Sequence, residues 1–257
     1  MYAPVNDLQM YYEIHGSGRP LVLLHGALSG IGTSFGPILP ALARTRQVIG
    51  VELQAHGRTA DVDRPLSYRQ FAADVAALLD HLGIGDADIF GYSLGAGVAL
   101  QVAIDRPDLV GKLVLLSVTH TPDGMYPGLV EGIGELTPAD LAGSPFEREY
   151  AEIAPDPAHW PALLKKVQQL DLSFEGWPAE QVAAVTAPVL LVLGDSDIVR
   201  PEAGVELFRL FGGGVPGDLV AMPRSQFAVL PGTNHIGLSD RAAWLAPMIE
   251  SFLDAPA

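Results

Sequence analysis

A chain of 257 residues, nearly half of them apolar, has enough hydrophobic side chain for one large core, and a single α/β domain of this length is ordinary. Thirty Asp and Glu against fifteen Lys and Arg leave a formal charge of −15, which argues against nucleic acid, anionic membrane surfaces and polyanionic substrates, since all of these favour a basic face. The absence of cysteine excludes disulfides and thiolate metal sites, no apolar run approaches the ~20 residues of a membrane helix, and "MYAPVNDLQMYYEIHG" lacks a basic start followed by a long apolar stretch, so a cytoplasmic protein is the expectation.

In chain order, "LQMYYEIHGSGRPLVLLHG" reads as two strands joined by a Gly-Ser-Gly turn, which predicts an opening hairpin, and "RQVIGVEL" reads as a third strand. "SYRQFAADVAALLDHLG" is a helix: Phe71, Val75, Leu78, Leu79 and Leu82 share one face, Ser67 caps the start and Gly83 ends it. "DIFGY" is a buried strand that gives way at Leu94 to a helix rich in Ala, Val and Leu, and "KLVLLSV" is another buried strand. After Val118 the alternation fails. From Thr119 to about Ala187, Pro and Gly are frequent and only short helical pieces occur, "PADLAG", "AHWPALLKKVQQL" and "PAEQVAAV". The pattern resumes with the strand "PVLLVLGD", the helix "PEAGVELFRLF", the strand "SQFAVLPG" and a final amphipathic helix, "RAAWLAPMIESFL". Strands alternating with amphipathic helices predict a mostly parallel, twisted sheet flanked by helices. Residues 1–118 and 188–257 then form one core, and 119–187 is an insertion whose ends return to the same sheet.

The chemistry points to the corner between "DIFGY" and the helix after it. A strand that turns sharply into a helix strains the turn residue and exposes its side chain above the sheet, and flanking glycines let the neighbouring backbone come close. "GYSLG", Gly91 to Gly95, sets Ser93 in that context, at the positive end of the following helix. A serine hydroxyl needs a base held by a carboxylate, in the chain order Ser, acid, His. "GDSDIVRPE" offers Asp195 and Asp197 after a late strand, and "GTNHIGL" offers His235 after the last one. Near the N-terminus, the His-Gly pair of "LVLLHGALSG" lets the N–H of Ala27 face the pocket, where with the N–H of Leu94 it would hold an oxyanion.

With "HGALSG", "VELQAHGRT", "GYSLGAG", "GDSDIVRPE" and "GTNHIGL" in this order, each at a strand end, the chain resembles the α/β-hydrolase fold family from about Leu8 to Leu253, particularly its small serine esterases and lactonases. The resemblance implies an α/β-hydrolase fold with a small helical cap, residues 119–187, inserted after the sixth strand and lying over the serine. It implies Ser93 as nucleophile, His235 as base, Asp197 as orienting acid, and Ala27 and Leu94 as oxyanion donors. The family's acid usually lies three residues after the strand-end glycine, which selects Asp197 over Asp195. One departure is Glu52 in "VELQAHGRT", where relatives commonly have Asp. Substrate contacts are expected from Leu28, Tyr126, Phe146, Trp160, Trp177, Ile198 and Ile236.

Other residues carry plainer readings. His25 shapes the oxyanion loop by bonding nearby backbone, and His56 bonds locally. His15, His81, His120 and His159 are scattered without ligand spacing, so no metal is expected. Asp61, Asp63, Asp86 and Asp88 read as solvated loop charges, and Asp195 as a turn residue. The insertion holds few basic side chains, Arg148, Lys165 and Lys166, which points to an uncharged small-molecule ester or lactone as the partner, with no cofactor and the oligomeric state open. The rivals are a carbon–carbon bond hydrolase or a cofactor-free perhydrolase with the same triad, and, from another class, a ligand receptor on the same fold. Carbon–carbon hydrolysis would call for a pocket able to hold an acidic dienoate.

Overall fold

The computed structural model describes residues 1–256. Eight strands build one sheet: β1 (Tyr2–Val5), β2 (Leu8–His15), β3 (Arg19–Leu24), β4 (Arg46–Val51), β5 (Ala87–Tyr92), β6 (Val110–Leu116), β7 (Val189–Ser196) and β8 (Gln226–Asn234). Their spatial order is β1-β2-β4-β3-β5-β6-β7-β8, antiparallel across β1–β2 and β2–β4 and parallel from β4 onward. The helices are α1 (Ile31–Phe35), α2 (Leu39–Leu42), α3 (Tyr68–Leu82), α4 (Leu94–Asp105), α5 (Leu129–Glu135), α6 (Pro145–Ile153), α7 (Trp160–Leu172), α8 (Ala179–Ala183), α9 (Pro201–Leu210) and α10 (Ala242–Asp254). The α3 boundaries follow from local chemistry: Ser67 accepts the N–H of Gln70 at 3.2 Å, and Gly83 closes the helix in the left-handed region at φ 69°.

The inner strands are apolar on both faces because both are covered. Val22, Leu24, Ile89, Leu113 and Leu115 point to the side packed by α3 and α4, while Leu21, Leu23, Phe90, Val114 and Leu116 point to α1, α2 and α10. Helix α4 has no polar stripe: every residue from Leu94 to Ala103 is buried, so it lies wholly inside one layer and fixes the end of β5 rigidly. Between β6 and β7 the chain runs through α5, α6, α7 and α8 without a strand, apart from a lone bridge between Met125 and Val199.

Two expectations are corrected. The predicted hairpin does not form: β4 lies between β2 and β3, pairing antiparallel with the first and parallel with the second. The burial patterns give the reason. Strand β2 alternates, suiting a strand with one face exposed, whereas Leu21–Leu24 is buried without a break and takes parallel neighbours on both sides. The true hairpin is β1–β2, turning at Asn6 and Asp7 with Asn6 left-handed at φ 48°. Nor is Asp88 a solvated loop charge. It is fully buried in β5, accepting from Arg19 Nε at 3.2 Å and Arg46 Nη1 at 3.0 Å, and Asp61 pairs with Lys166 at 2.6 Å. A buried carboxylate persists only with such partners.

Candidate active site

Strand β5 ends at Tyr92, α4 begins at Leu94, and the single residue between them is Ser93, with φ 53° and ψ −116°. Its backbone is tied on both sides: the N–H donates to Leu116 O of β6 at 2.8 Å, and the carbonyl accepts from Ala96 N at 2.9 Å. A side chain on Gly91 would place Cβ 2.2 Å from Gly95 O, and one on Gly95 would place it 1.9 Å from Leu24 O of β3. Glycine at both positions is what allows helix and sheet to meet so closely, and the serine side chain is left projecting from the edge where the parallel strands end.

His235 follows β8 directly, its Nε2 3.0 Å from Ser93 Oγ and its Nδ1 2.9 Å from Asp197 Oδ1. The carboxylate can only accept, so Nδ1 carries the proton and the Nε2 lone pair faces the serine hydroxyl. Asp197, just past β7, is buried. Its Oδ1 also accepts from Ile198 N at 2.7 Å and Ser117 Oγ at 2.8 Å, and its Oδ2 from Gly194 N at 3.2 Å. Burial works to raise its pKa, but the bond to His235, the imidazole charge and the donors at Gly194 and Ser117 outweigh it and hold the carboxyl below its ordinary range. Asp195 has a different task, accepting the N–H groups of Gly232 at 2.8 Å and Thr233 at 3.1 Å where the β7–β8 register shifts.

Two residues not singled out in the sequence join this chain of bonds. Ser117, just past β6 and left-handed at φ 58°, lies 2.8 Å from His235 Nδ1 while donating to Asp197, so its oxygen takes a share of the imidazole N–H. The Tyr92 hydroxyl donates to the backbone carbonyl of His235 at 2.9 Å. Both relationships cross from one strand end to another, and no local pattern announces them.

The loop after β3 supplies the opposite wall. His25 is fully buried; its Nδ1–H donates to Gly26 O at 2.8 Å and its Nε2 accepts from Leu53 N at 3.0 Å. Burial lowers its pKa to about 4, so it stays neutral and serves as a strut. Leu28 is left-handed at φ 59°. Just beyond it, α1 lacks a capping side chain of its own; Glu149 of α6 accepts the N–H of Gly30 at 2.7 Å and of Thr33 at 2.9 Å instead. The N–H groups of Ala27 and Leu94 donate to no other group among the described residues, and both residues line the cavity that contains Ser93.

The family model for the alpha/beta hydrolase fold matches residues 19–153, more than half of the chain. The chain belongs to the alpha/beta hydrolase fold family. A relative in Azorhizobium caulinodans named "Putative carbamate hydrolase RutD" is 27% identical over 245 residues, covering 86% of this chain and 88% of that protein. Among solved structures, the enol-lactonase of Burkholderia xenovorans LB400 superposes with a TM-score of 0.75 at 20% identity, covering 99% of this chain and all of that one. The meta-cleavage product hydrolase CumD of Pseudomonas fluorescens IP01 superposes with a TM-score of 0.77 at 18% identity, covering 96% and 94%. Three different substrate types on one scaffold leave selectivity to the site itself.

In this α/β hydrolase the site opens into a cavity of about 470 Å³, lined mainly by apolar side chains. Of the expected contacts, Leu28, Phe146, Trp177, Ile198 and Ile236 line it. Trp160 does not: it is buried with its ring 5.4 Å from that of Tyr150, because its phase on α7 turns it toward α6. Nor does Tyr126, which is about half exposed and lines a separate, outer cavity of about 630 Å³. Further lining comes from α5 (Leu129, Val130 and Ile133), from Tyr68 on α3, from Asp171 in the last turn of α7 and from Phe174, an aromatic of the insertion just past that helix. Arg148, Lys165 and Lys166 do not line the cavity, and Lys166 is spent on Asp61, Val62 O and Arg64 O. Among the described residues no three His, Asp or Glu side chains gather as a metal site, and no helix is long and apolar enough to cross a membrane.

Proposed function

We propose that this protein is a serine hydrolase that cleaves small to medium carboxylic esters or lactones through an acyl-enzyme on Ser93. One observation carries the reading. An unbroken line of hydrogen bonds from Ser93 through His235 to Asp197 opens into a largely apolar cavity beside two uncommitted N–H groups.

His235 Nε2 takes the proton of Ser93 as the hydroxyl oxygen attacks the carbonyl carbon. The Ala27 and Leu94 N–H groups receive the oxyanion, with the N-terminus of α4 adding its dipole. The imidazolium then protonates the departing alkoxide, and water activated by the same nitrogen hydrolyses the acyl-enzyme. Asp197 and Ser117 hold Nδ1–H throughout, which keeps the useful lone pair on Nε2. Residues 119–187 serve as the cap: α5, α6 and α7 each contribute side chains to the cavity. No lysine or arginine lines it, which favours esters and lactones over the acidic substrates of carbon–carbon hydrolysis.

The test pairs a fluorophosphonate probe with p-nitrophenyl esters of increasing acyl length. Wild type is expected to label at Ser93 and to favour short to medium chains, gaining about 0.8 kcal/mol per added methylene until the cavity fills. Ser93→Ala is expected to lose both labelling and turnover. Turnover within about tenfold of wild type in a clean Ser93→Ala preparation refutes the nucleophile; labelling without turnover favours the receptor reading.

A further inference from the structure

The cavity has one feature that an apolar ester pocket does not need. Helix α7 buries Leu163, Leu164, Val167 and Leu170 along one stripe, and Asp171 falls on the same stripe, four residues after Val167, facing the cavity that Val167 also lines. A carboxylate there is unfavourable twice over. It sits in the last turn of the helix, where the macrodipole is negative. It is also half-buried without help: among the described residues its carboxylate accepts no hydrogen bond and lies within reach of no cationic side chain, and partial desolvation alone raises its pKa to about 6. At neutral pH it is therefore ionised, and it faces the cavity rather than a protein partner.

Three aromatic rings surround the same end of the cavity. Tyr68, Phe174 and Trp177 lie with centroids 5.4, 5.0 and 4.9 Å apart, in tilted and edge-on arrangements that form a cluster rather than a stack. The Tyr68 hydroxyl makes no bond to other described residues, and the charge of Asp171, after burial, pushes its pKa upward, so the two groups sense one another. Trp177 is anchored by its Nε1–H donating to Gln101 Oε1 at 2.7 Å, and this fixes its ring in place. Asp171, Met125, Val130 and Phe174 also line the outer cavity, whose other acidic side chains are Asp123 and Glu131. The one cation there, Arg200, turns its guanidinium to the backbone carbonyl of Asp123.

We infer that Asp171, Tyr68, Phe174 and Trp177 form a subsite for a protonated amine carried by the substrate. The carboxylate supplies the counter-charge and the rings supply cation–π contact in a desolvated place. The inference rests on the ester-hydrolase reading for the substrate's reactive half, and it replaces the uncharged substrate expected from the sequence by a cationic one. The outer cavity, with acidic side chains leading to Asp171, is the approach that such a cation favours.

Two measurements separate this subsite from the catalytic reading. The first needs no turnover: binding of tetramethylammonium is followed by calorimetry in wild type, Asp171→Asn and Phe174→Leu. Wild type is expected to bind and both variants to bind several-fold more weakly, with the melting temperature of Asp171→Asn at or above that of wild type, since an unpaired, half-buried charge at a helix C-terminus has been removed. Absence of binding in wild type, or undiminished binding in Asp171→Asn, overturns the subsite whether or not esters are cleaved. The second compares kcat/KM for a dimethylaminoethyl ester with its isopentyl isostere at neutral pH, and for the same pair of groups on the acyl side. Wild type is expected to prefer the cationic member of at least one pair by roughly tenfold, and Asp171→Asn to bring that ratio near unity. Equal rates for both members of both pairs refute the subsite while leaving the serine mechanism standing. Cation binding without hydrolysis of any ester refutes the mechanism and leaves the subsite.

Discussion

Replacing Asp197 by asparagine changes one charge and almost nothing else, which makes it the sharpest probe of the site. Its Oδ1 accepts from three donors and its Oδ2 from one, so the amide settles with its oxygen in the Oδ1 place, keeping Ser117, Ile198 and His235 and giving up only the longer bond from Gly194 N–H, which its NH₂ cannot accept. The imidazole therefore keeps its tautomer. What disappears is the negative charge against which the imidazolium forms. Nδ1 and Oδ1 are 2.9 Å apart. With charge centres roughly 4 Å apart and an effective dielectric of about 20, the interaction is about 4 kcal/mol, and its loss lowers kcat by about a thousandfold. KM should change little, because the charge on His235 develops only after substrate is bound. The assay is steady-state hydrolysis of p-nitrophenyl butyrate, with Asp195→Asn as control. That control should lose thermal stability, since it weakens the hold on Gly232 and Thr233, while keeping kcat within about tenfold. A smaller kcat loss in Asp197→Asn than in Asp195→Asn, or less than about tenfold in both, refutes the assignment.

Two further outcomes follow from the same geometry. Gly95→Ala should destabilise the fold by about 3 kcal/mol or more, because its Cβ meets the backbone of Leu24, which cannot swing aside; Gly85→Ala, with open space around it, is the control, and equal melting temperatures for the two variants refute the packing argument. Burial raises Glu52 from 4.5 to about 7 despite the N–H and charge of Arg58, with Glu149 and Glu13 adding to the rise. The folded state therefore takes up this proton before the unfolded state does. Its penalty, about 3 kcal/mol, is full above pH 7 and is relieved as pH falls toward 4.5. Urea titrations should show Glu52→Gln gaining on wild type by most of that amount between pH 5 and pH 8; a pH-independent difference contradicts it.

The sequence made some of this legible because the relevant constraints are local. The corner at Ser93 shows itself through Gly91 and Gly95, whose small size is demanded within five residues, and the strand ends before Asp197 and His235 follow from short apolar runs. What stayed hidden depends on distant chain segments. Ser117 looks like an ordinary residue after a strand until β6 is placed between β5 and β7. Trp160 opens α7 and is turned toward α6 by its helical phase, whereas Phe174 follows the end of that helix and reaches the cavity through the path of the chain beyond it, which no local pattern gives. The opening hairpin misled because turn residues outweighed patterning: "LQMYYEIH" alternates and "PLVLL" does not, and that mismatch argued against pairing them. Asp171 was readable in the same way, as a lone carboxylate on an otherwise apolar helical stripe.

The clamp between α6 and the start of α1 ties together two parts of the site that are distant in sequence. Glu149 occupies two N–H groups that would otherwise be bare, and these lie three to six residues past Ala27. Lifting α6 away would expose both N–H groups and release the loop whose Ala27 N–H faces the cavity. By thermodynamic reciprocity, whatever seats α6 and orders that loop is strengthened in turn by whatever the loop holds, so under the proposed mechanism an oxyanion on Ala27 would tighten the hold on α6 by the same free energy. A bound acyl group and a settled helix are in this sense two effectors of one equilibrium, with a single glutamate as the link.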